Sequence, residues 1–255
     1  MKFIALALLA CLLSACATVP PPKHLNFVAC PIVRDTSTVP CWLAEYQGET
    51  YFLTIQTDVS APVTPPWLGH RVLVEGVISD EPRICGGVVL KPVSLSVIQE
   101  LDGSCNTMLP AEDRYNLTFE PPRPPGPSKG RLSFGDPNTK PAALTLPHTF
   151  QLQYEFDGMV AFRHAQTLQK ILELIHETGA KQISITGYRA GSLLSNGERM
   201  LEHTDIGERR AEQVVELLKG AGLTDVMYET RWRDVTKLAN GADDASRRIT
   251  EVIVR

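Results

Sequence analysis

Six cysteines carry the most distinctive side-chain chemistry in this sequence of 255 residues. They are Cys11, Cys16, Cys30, Cys41, Cys85 and Cys105. A structural zinc site needs closely spaced pairs such as Cys-x-x-Cys, or histidines at finger spacing, and the sequence has neither. In an oxidising compartment, cysteines at such spacings form disulfides instead. The compartment that the chain enters therefore decides what these thiols do.

The N-terminal segment predicts export to an oxidising compartment. Lys2 precedes an apolar run over residues 3–13, and the small residues Ser14 and Ala15 follow. A positive start, a short apolar core and small residues before a cleavage point are typical of a secretory signal, and the run is too short to span a bilayer stably. The four cysteines beyond residue 16 then predict two disulfides, with three possible pairings open: Cys30, Cys41, Cys85 and Cys105.

The string Leu-Ser-Ala-Cys at residues 13–16 resembles the bacterial lipobox. The resemblance implies that residues 1–15 are a lipoprotein signal peptide and that Cys16 becomes the acylated N-terminus, with palmitate-type chains. Several chains would give stable anchoring, because a single acyl chain binds a membrane only marginally. Ala17, in place of aspartate, implies an outer-membrane location facing the periplasm. The alternative is an ordinary signal peptide that leaves Cys16 as a plain thiol.

Residue patterns for catalysis are missing from the sequence. The six histidines are scattered, and neither a Gly-x-Ser-x-Gly elbow nor a His-Glu-x-x-His pair occurs. We therefore expect no enzyme activity, no catalytic residue, no metal site and no cofactor. A net charge of -4, with acidic and basic residues mixed along the chain, also argues against a nucleic-acid partner.

Residues 29–119 are predicted to form a small β domain. Runs with strand character cover residues 42–46, 50–56, 71–78 and 87–97. Gln47-Gly48 is typical of a turn, and glycines at bends predict a closed or nearly closed OB-like barrel, stabilised by the two disulfides. Residues 16–28 before this domain are an anchor and spacer. Residues 120–149 after it are rich in proline, which predicts a semi-extended linker that holds two domains apart.

Residues 150–255 change to a mixed pattern of helices and strands. Apolar residues recur at helical spacing over 162–175, where Gly179 ends the helix, and again over 211–218. The second helix has two possible capping-box starts: Ser195 with Glu198, or Asp205 with Glu208. Strand patterns cover 151–156, 182–186, 226–232 and 249–254. We expect an α/β sandwich with two helices on one face of a mixed sheet, so the fold class of the whole chain is α+β.

Three strings within residues 151–255 resemble the signatures of the OmpA-like C-terminal domain. Ile183–Tyr188 is similar to a strand that ends in Gly-His-Thr-Asp, and Glu208–Val214 is similar to a helix with Leu-Ser-x-x-Arg-Ala-x-x-Val. Ser246–Ile249 is similar to a closing Asn-Arg-Arg-Val strand, with serine in place of asparagine. The resemblance implies a lipoprotein similar to the peptidoglycan-associated lipoproteins, which bind the cell wall non-covalently.

The resemblance also assigns a ligand and its binding residues. Family members bind diaminopimelate, in which one carbon carries an ammonium and a carboxylate; an arginine forks onto the carboxylate and an aspartate takes the ammonium. Arg210 matches the arginine, but Ala190 stands where the aspartate belongs. The loop over residues 191–202 is longer than the usual one, so a carboxylate from it or just after it could replace the aspartate: Glu198, Glu202 or Asp205. The candidate peptidoglycan-binding residues are Arg210, Arg248, Arg247, Tyr188 and Arg189.

Two functional hypotheses follow. In the first, an outer-membrane lipoprotein tethers the envelope to peptidoglycan through the diaminopimelate-containing stem peptide. In the second, wall binding has been lost with the aspartate, and the protein is a structural or docking subunit that contacts other envelope proteins. The first requires Arg210 to face an open cleft rather than an internal partner.

Overall fold

The computed structural model describes residues 23–57, 63–117, 145–161 and 164–255. The predicted signal peptide, Cys16 and nearly all of the predicted proline-rich linker lie outside these residues. In the described ranges, thirteen strands and two α-helices are formed. Neither of these helices is long and apolar enough to cross a membrane.

Seven strands form a mixed sheet in the first half of the chain. They are β1 (His24–Ala29), β2 (Pro31–Arg34), β3 (Cys41–Tyr46), β4 (Glu49–Ile55), β5 (His70–Ile78), β6 (Val88–Leu101) and β7 (Thr107–Leu109). Their order is β1-β5-β6-β4-β3-β2-β7. The pairs β4–β6 and β2–β7 are parallel, and the other pairs are antiparallel.

Local sequence explains the hairpin between β3 and β4. Gln47 and Gly48 have φ angles of 51° and 78°, and a two-residue turn with both angles positive matches the twist of the flanking strands. Alternate residues of β4, including Tyr51 and Leu53, then point into a core that also contains Phe27. The turn thereby fixes which face of the hairpin is buried.

Two disulfides cross-link this half of the chain, as predicted. Cys30 is joined to Cys105, and Cys41 is joined to Cys85. Cys41 and Cys85 both lie between Cys30 and Cys105, so the second loop, of 44 residues, is nested within the first, of 75. The structure therefore selects one of the three pairings that the sequence left open.

A four-stranded sheet and the two helices form the second half. The strands are β8 (His148–Gln153), β9 (Gln182–Arg189), β12 (Met227–Asp234) and β13 (Ile249–Val254), in the order β12-β9-β13-β8. The helices are α1 (Ala165–Thr178) and α2 (Ile206–Gly220). Both helices contribute to one hydrophobic core with β8, β9 and β13, centred on Ile171, Ile185, Val214 and Val252. Strands β10 (Gly191–Leu193) and β11 (Arg199–Leu201) form a separate hairpin between β9 and α2.

The predicted fold class is wrong. The chain is mostly β, with a large mixed seven-stranded sheet in its first half and only two helices among the described residues, and it is not clearly an α/β sandwich of the OmpA-like kind. Strand patterns report which face of each strand is buried, but they do not report which strands pair. In addition, β1 pairs with β5 although it begins within the predicted spacer, and the predicted loop over 191–202 forms the β10–β11 hairpin.

The two halves of the chain contact each other directly, so the expectation that a linker holds them apart is wrong. The amide of Asn26 on β1 donates to Ser195 Oγ at 2.9 Å, and the amide of Ser195 donates back to the Asn26 carbonyl at 2.8 Å. The amide of Phe156 donates to Ser96 Oγ on β6 at 2.9 Å. The hairpin between β9 and α2 therefore packs against the first sheet.

Candidate functional site

Arg210 lies on the first turns of α2, where this helix crosses β9 at very close range. A side chain at Gly187 on β9 would collide with the carbonyl oxygen of Gly207. The two glycines let the helix and strand backbones approach, because neither has a Cβ. This approach brings Arg210 beside the end of β9, and its side chain is 0% exposed.

Every N–H group of the Arg210 guanidinium has an acceptor within the protein. Nε donates to the Gly158 carbonyl at 2.8 Å. Nη1 donates to the Tyr188 carbonyl at 2.9 Å, and Nη2 donates to the Glu155 carbonyl at 3.2 Å. The remaining donors form a fork onto Glu202, with distances of 3.1 Å to Oε2 and 2.6 Å to Oε1. The guanidinium also lies 4.5 Å from the centroid of the Tyr154 ring.

Glu202 is the carboxylate that completes this arrangement. It directly follows β11, and its side chain is also 0% exposed. Besides the two bonds from Arg210, its Oε1 accepts the amide of Asp157 at 2.9 Å and its Oε2 accepts the amide of Ala190 at 2.8 Å. Of the three acids considered for the vacant aspartate position, Glu202 is therefore the one that reaches Ala190. Glu198 instead bonds Asn196.

The Arg210–Glu202 pair is closed to ligands as it stands. Two opposite charges without solvent contact satisfy each other through a fork of charge-assisted hydrogen bonds, and backbone groups take up what remains. The Glu202 carboxylate accepts the two parallel hydrogen bonds from Arg210 that a ligand carboxylate would need. The condition placed on the first hypothesis, that Arg210 faces an open cleft, is not met in this structure.

Arg248 is likewise engaged inside the protein, at the contact between the halves. Its Nη1 donates to Glu75 Oε1 at 3.1 Å and to Ser192 Oγ at 3.0 Å, and its Nη2 pairs with Glu75 Oε2. Ser192 Oγ donates to Glu75 Oε1 at 2.6 Å. All three residues are buried. Glu75 lies on β5 and Ser192 on β10, so this cluster joins the first sheet to the hairpin and to the residue before β13.

The other predicted binding residues lie at different places. Arg247 and Arg248 precede β13, so they are not part of the closing strand that the resemblance implied. Arg247 Nη2 lies 3.8 Å from Asp243 Oδ2. Arg189 donates to the Glu202 carbonyl at 2.7 Å and to Asp234 Oδ2 at 2.7 Å. Tyr188 contributes its backbone carbonyl to Arg210. The structure therefore gathers Arg189, Tyr188 and Arg210 around Glu202, and it places Arg247 and Arg248 elsewhere.

An open cleft of about 920 Å³ lies next to the Arg210–Glu202 pair, between the two halves. Arg71 and Arg209 line it with side chains 52% and 51% exposed. Each forms a long ion pair, Arg71 Nε with Asp102 Oδ2 at 3.7 Å and Arg209 Nη1 with Asp205 Oδ2 at 3.9 Å. Asp157 lines the same cleft and accepts the amide of His203 at 2.7 Å. Burial raises the pKa of the Asp157 carboxyl, and the nearby negative charge of Glu202 raises it further.

Sequence reasoning did not identify Glu75 or Asp157, and it weighed Glu202 only as one of three acids. Glu75 sits within an apolar strand, where a lone carboxylate signals a buried partner, because burial of an unpaired charge is very costly. That signal was present in the sequence of β5. The partner is 173 residues away along the chain, and no local pattern could supply it.

One histidine of the second half is buried and hydrogen-bonded. His164 is 4% exposed and packs against Tyr154 with a distance of 5.0 Å between ring centroids. Its Nε2 bonds the Gln153 carbonyl at 2.7 Å. Among the described residues, no group of three or more histidine, cysteine, aspartate or glutamate side chains is placed to hold a metal ion.

Comparison with known proteins adds no relative from which a role could be transferred. No protein-family model matches this chain, and no curated protein matches it.

Proposed function

We propose that this protein is a lipid-anchored lipoprotein of the bacterial outer membrane that serves as a structural or docking subunit of the envelope, and that it does not bind the cell wall through Arg210. The proposal takes its location from the export signal and the lipobox-like string at residues 13–16. The observation that carries the second part is the closed pair of Arg210 and Glu202.

The energetics favour a structural role for this pair. Releasing Arg210 to a ligand would leave the Glu202 carboxylate buried without its cation, and breaking a buried ion pair in this way costs about 3–5 kcal/mol. A wall ligand would have to recover that cost before it gained any affinity. A loss of 3–5 kcal/mol corresponds to a dissociation constant weaker by roughly two to four orders of magnitude.

Cosedimentation of the full chain with diaminopimelate-containing sacculi tests the proposal. We expect retention no greater than that of an unrelated protein of similar charge. Arg210→Lys keeps the positive charge and removes the fork. The proposal would be overturned if the parent chain bound the sacculi saturably and a folded Arg210→Lys variant did not bind them.

A second candidate function is wall binding in the neighbouring cleft, and it is supported by the charges there. Arg209 and Arg71 supply exposed guanidinium groups, and Asp157 supplies a half-buried carboxylate on the same cleft. Both signs are needed for a zwitterionic ligand such as diaminopimelate. For this candidate, Arg209→Gln and Asp157→Asn should each reduce retention on sacculi severalfold. Arg83→Gln, an exposed arginine outside the cleft, is the matched control and should have no effect.

A further inference from the structure

Strand β12 forms one edge of the second sheet, and its outer side is unpaired among the described residues. It pairs with β9 alone, in parallel. Six of its eight residues are exposed, including Met227 at 65% and Trp232 at 58%. An exposed edge of this length presents a row of free backbone donors and acceptors, which is a template for pairing with another strand.

The backbone of β12 shows which residues point outward. The amide of Met227 donates to the Lys181 carbonyl at 2.8 Å, and the amide of Val235 donates to the Arg189 carbonyl at 2.9 Å; both bonds run towards β9. Since the direction alternates along a strand, odd-numbered residues of β12 direct their N–H and C=O groups inward. The even-numbered residues, Tyr228, Thr230 and Trp232, direct theirs to the open side.

The sequence of β12 is self-complementary about Thr230. If two copies pair antiparallel around a two-fold axis at Thr230, Glu229 of each faces Arg231 of the other, and Tyr228 of each faces Trp232 of the other. Opposite charges and aromatic pairs are the cross-strand combinations that stabilise antiparallel strands. In this register Tyr228, Thr230 and Trp232 occupy the hydrogen-bonded positions, as their outward backbone groups require.

Adjacent registers lack this complementarity. A two-fold axis at residue 229 places two copies of Glu229 opposite each other, and an axis at residue 231 does the same with Arg231. Like charges directly opposite are destabilising. Charged residues often protect an edge strand from pairing, but here acid and base alternate so that one register remains favourable.

The Glu229 side chain is already held in place within one copy. Its Oε1 accepts Gln182 Nε2 at 2.9 Å and its Oε2 accepts Ser184 Oγ at 3.3 Å. Arg231 Nη2 forms only a long ion pair with Glu229 Oε2 of the same copy, at 3.8 Å, and its side chain is 65% exposed. The acidic half of each predicted pair is thus held by hydrogen bonds, and the basic half lies exposed on the same face of the strand.

We propose that β12 is a dimer interface that binds a second copy of this chain, by antiparallel pairing about Thr230 into one continuous eight-stranded sheet. The isologous contact closes on itself, so it produces dimers and not fibres. The proposal concerns a different surface from the Arg210–Glu202 pair and does not depend on wall binding.

Cross-linking of the full chain in detergent tests the register. Cysteines replacing Thr230 would lie about 5.5 Å apart between Cα atoms, within the range of a disulfide. We expect Thr230→Cys to form a covalent dimer on mild oxidation. Arg233→Cys is the matched control on the same strand, because its two copies would be separated by roughly six residues, or about 20 Å. A folded Thr230→Cys variant that stays monomeric, or equal cross-linking at both positions, would overturn the proposal.

Charge reversal provides the second test, with the dissociation constant measured by sedimentation. Glu229→Arg and Arg231→Glu should each weaken dimerisation about tenfold or more, because each places two like-charge pairs opposite each other. The double variant should recover the parent affinity, since it restores both opposite-charge pairs in reversed order. Lys91→Glu, an exposed reversal on the first sheet, is the control and should leave the affinity unchanged. A double variant no tighter than the single ones would contradict the proposed pairing.

Discussion

Breaking the buried pair of Arg210 and Glu202 is the most direct test of the structural role assigned to these residues. Glu202→Gln leaves the guanidinium without its counter-charge. It also turns an amide donor towards the N–H groups that Glu202 now accepts, from Arg210, Asp157 and Ala190. Removing one member of a buried ion pair costs about 3–5 kcal/mol. For a chain of this size, that loss lowers the midpoint of thermal unfolding by roughly 6–20 °C.

A double-mutant cycle separates the coupling of the pair from other effects of the substitutions. Urea unfolding, followed by circular dichroism with disulfides intact, gives the free energy of unfolding for the parent, Glu202→Gln, Arg210→Met and the double variant. The double variant should lose less than the sum of the single losses, by about 2 kcal/mol, because the second substitution removes a charge already left unpaired. The partly exposed pair of Arg189 and Asp234 serves as control and should show a coupling below about 1 kcal/mol. Additive losses for Arg210 and Glu202 would refute the reasoning.

Three further outcomes follow from the structure. Glu75→Gln should lower the free energy of unfolding by about 3–5 kcal/mol in urea titrations, because Arg248 loses its buried counter-charge. Asp157→Asn should raise the thermal midpoint at neutral pH, because the pKa of this carboxyl is raised in the folded state and its ionised form is disfavoured there. The gain should decline as the pH falls below this raised pKa and vanish below the ordinary aspartate pKa of the unfolded chain. The Cys41→Ser, Cys85→Ser double variant should lose up to about 4 kcal/mol, measured by guanidinium unfolding, since it frees a 44-residue loop in the unfolded chain.

Each of these outcomes has a clear contrary result. For the contact between the halves, a Glu75→Gln variant as stable as the parent would show that the Arg248 cluster is not needed. For Asp157, a variant whose stability advantage persists at low pH would rule out the carboxylate charge as the cause. For the disulfide, the matched comparison is the Cys30→Ser, Cys105→Ser variant, which frees the longer loop of 75 residues and should lose slightly more. The reverse order would contradict the loop-entropy argument.

Local patterns predicted several elements of the fold well. The strand expected at 249–254 coincides with β13, and Gly179 ends α1 in the left-handed conformation, with φ of 65°. The turn at Gln47-Gly48 lies where it was expected. Of the two possible starts for α2, the one at Asp205 is correct, although its side chain makes no capping bond. These features depend on residues close together in the chain, and local residue types are sufficient to determine them.

The partners of the charged residues depend on tertiary structure. Local residue patterns alone place Arg210 on a helix that follows a strand, and they make four cysteines available for two disulfides. Only the folded chain decided that Glu202 neutralises Arg210 and that Glu75 pairs with Arg248 across 173 residues. The physical reason is that helical and strand periodicities encode burial over a few residues. The way in which distant segments cross decides which buried charges pair. The residues next to an arginine in sequence therefore do not show whether that arginine binds a ligand or joins two segments of the protein.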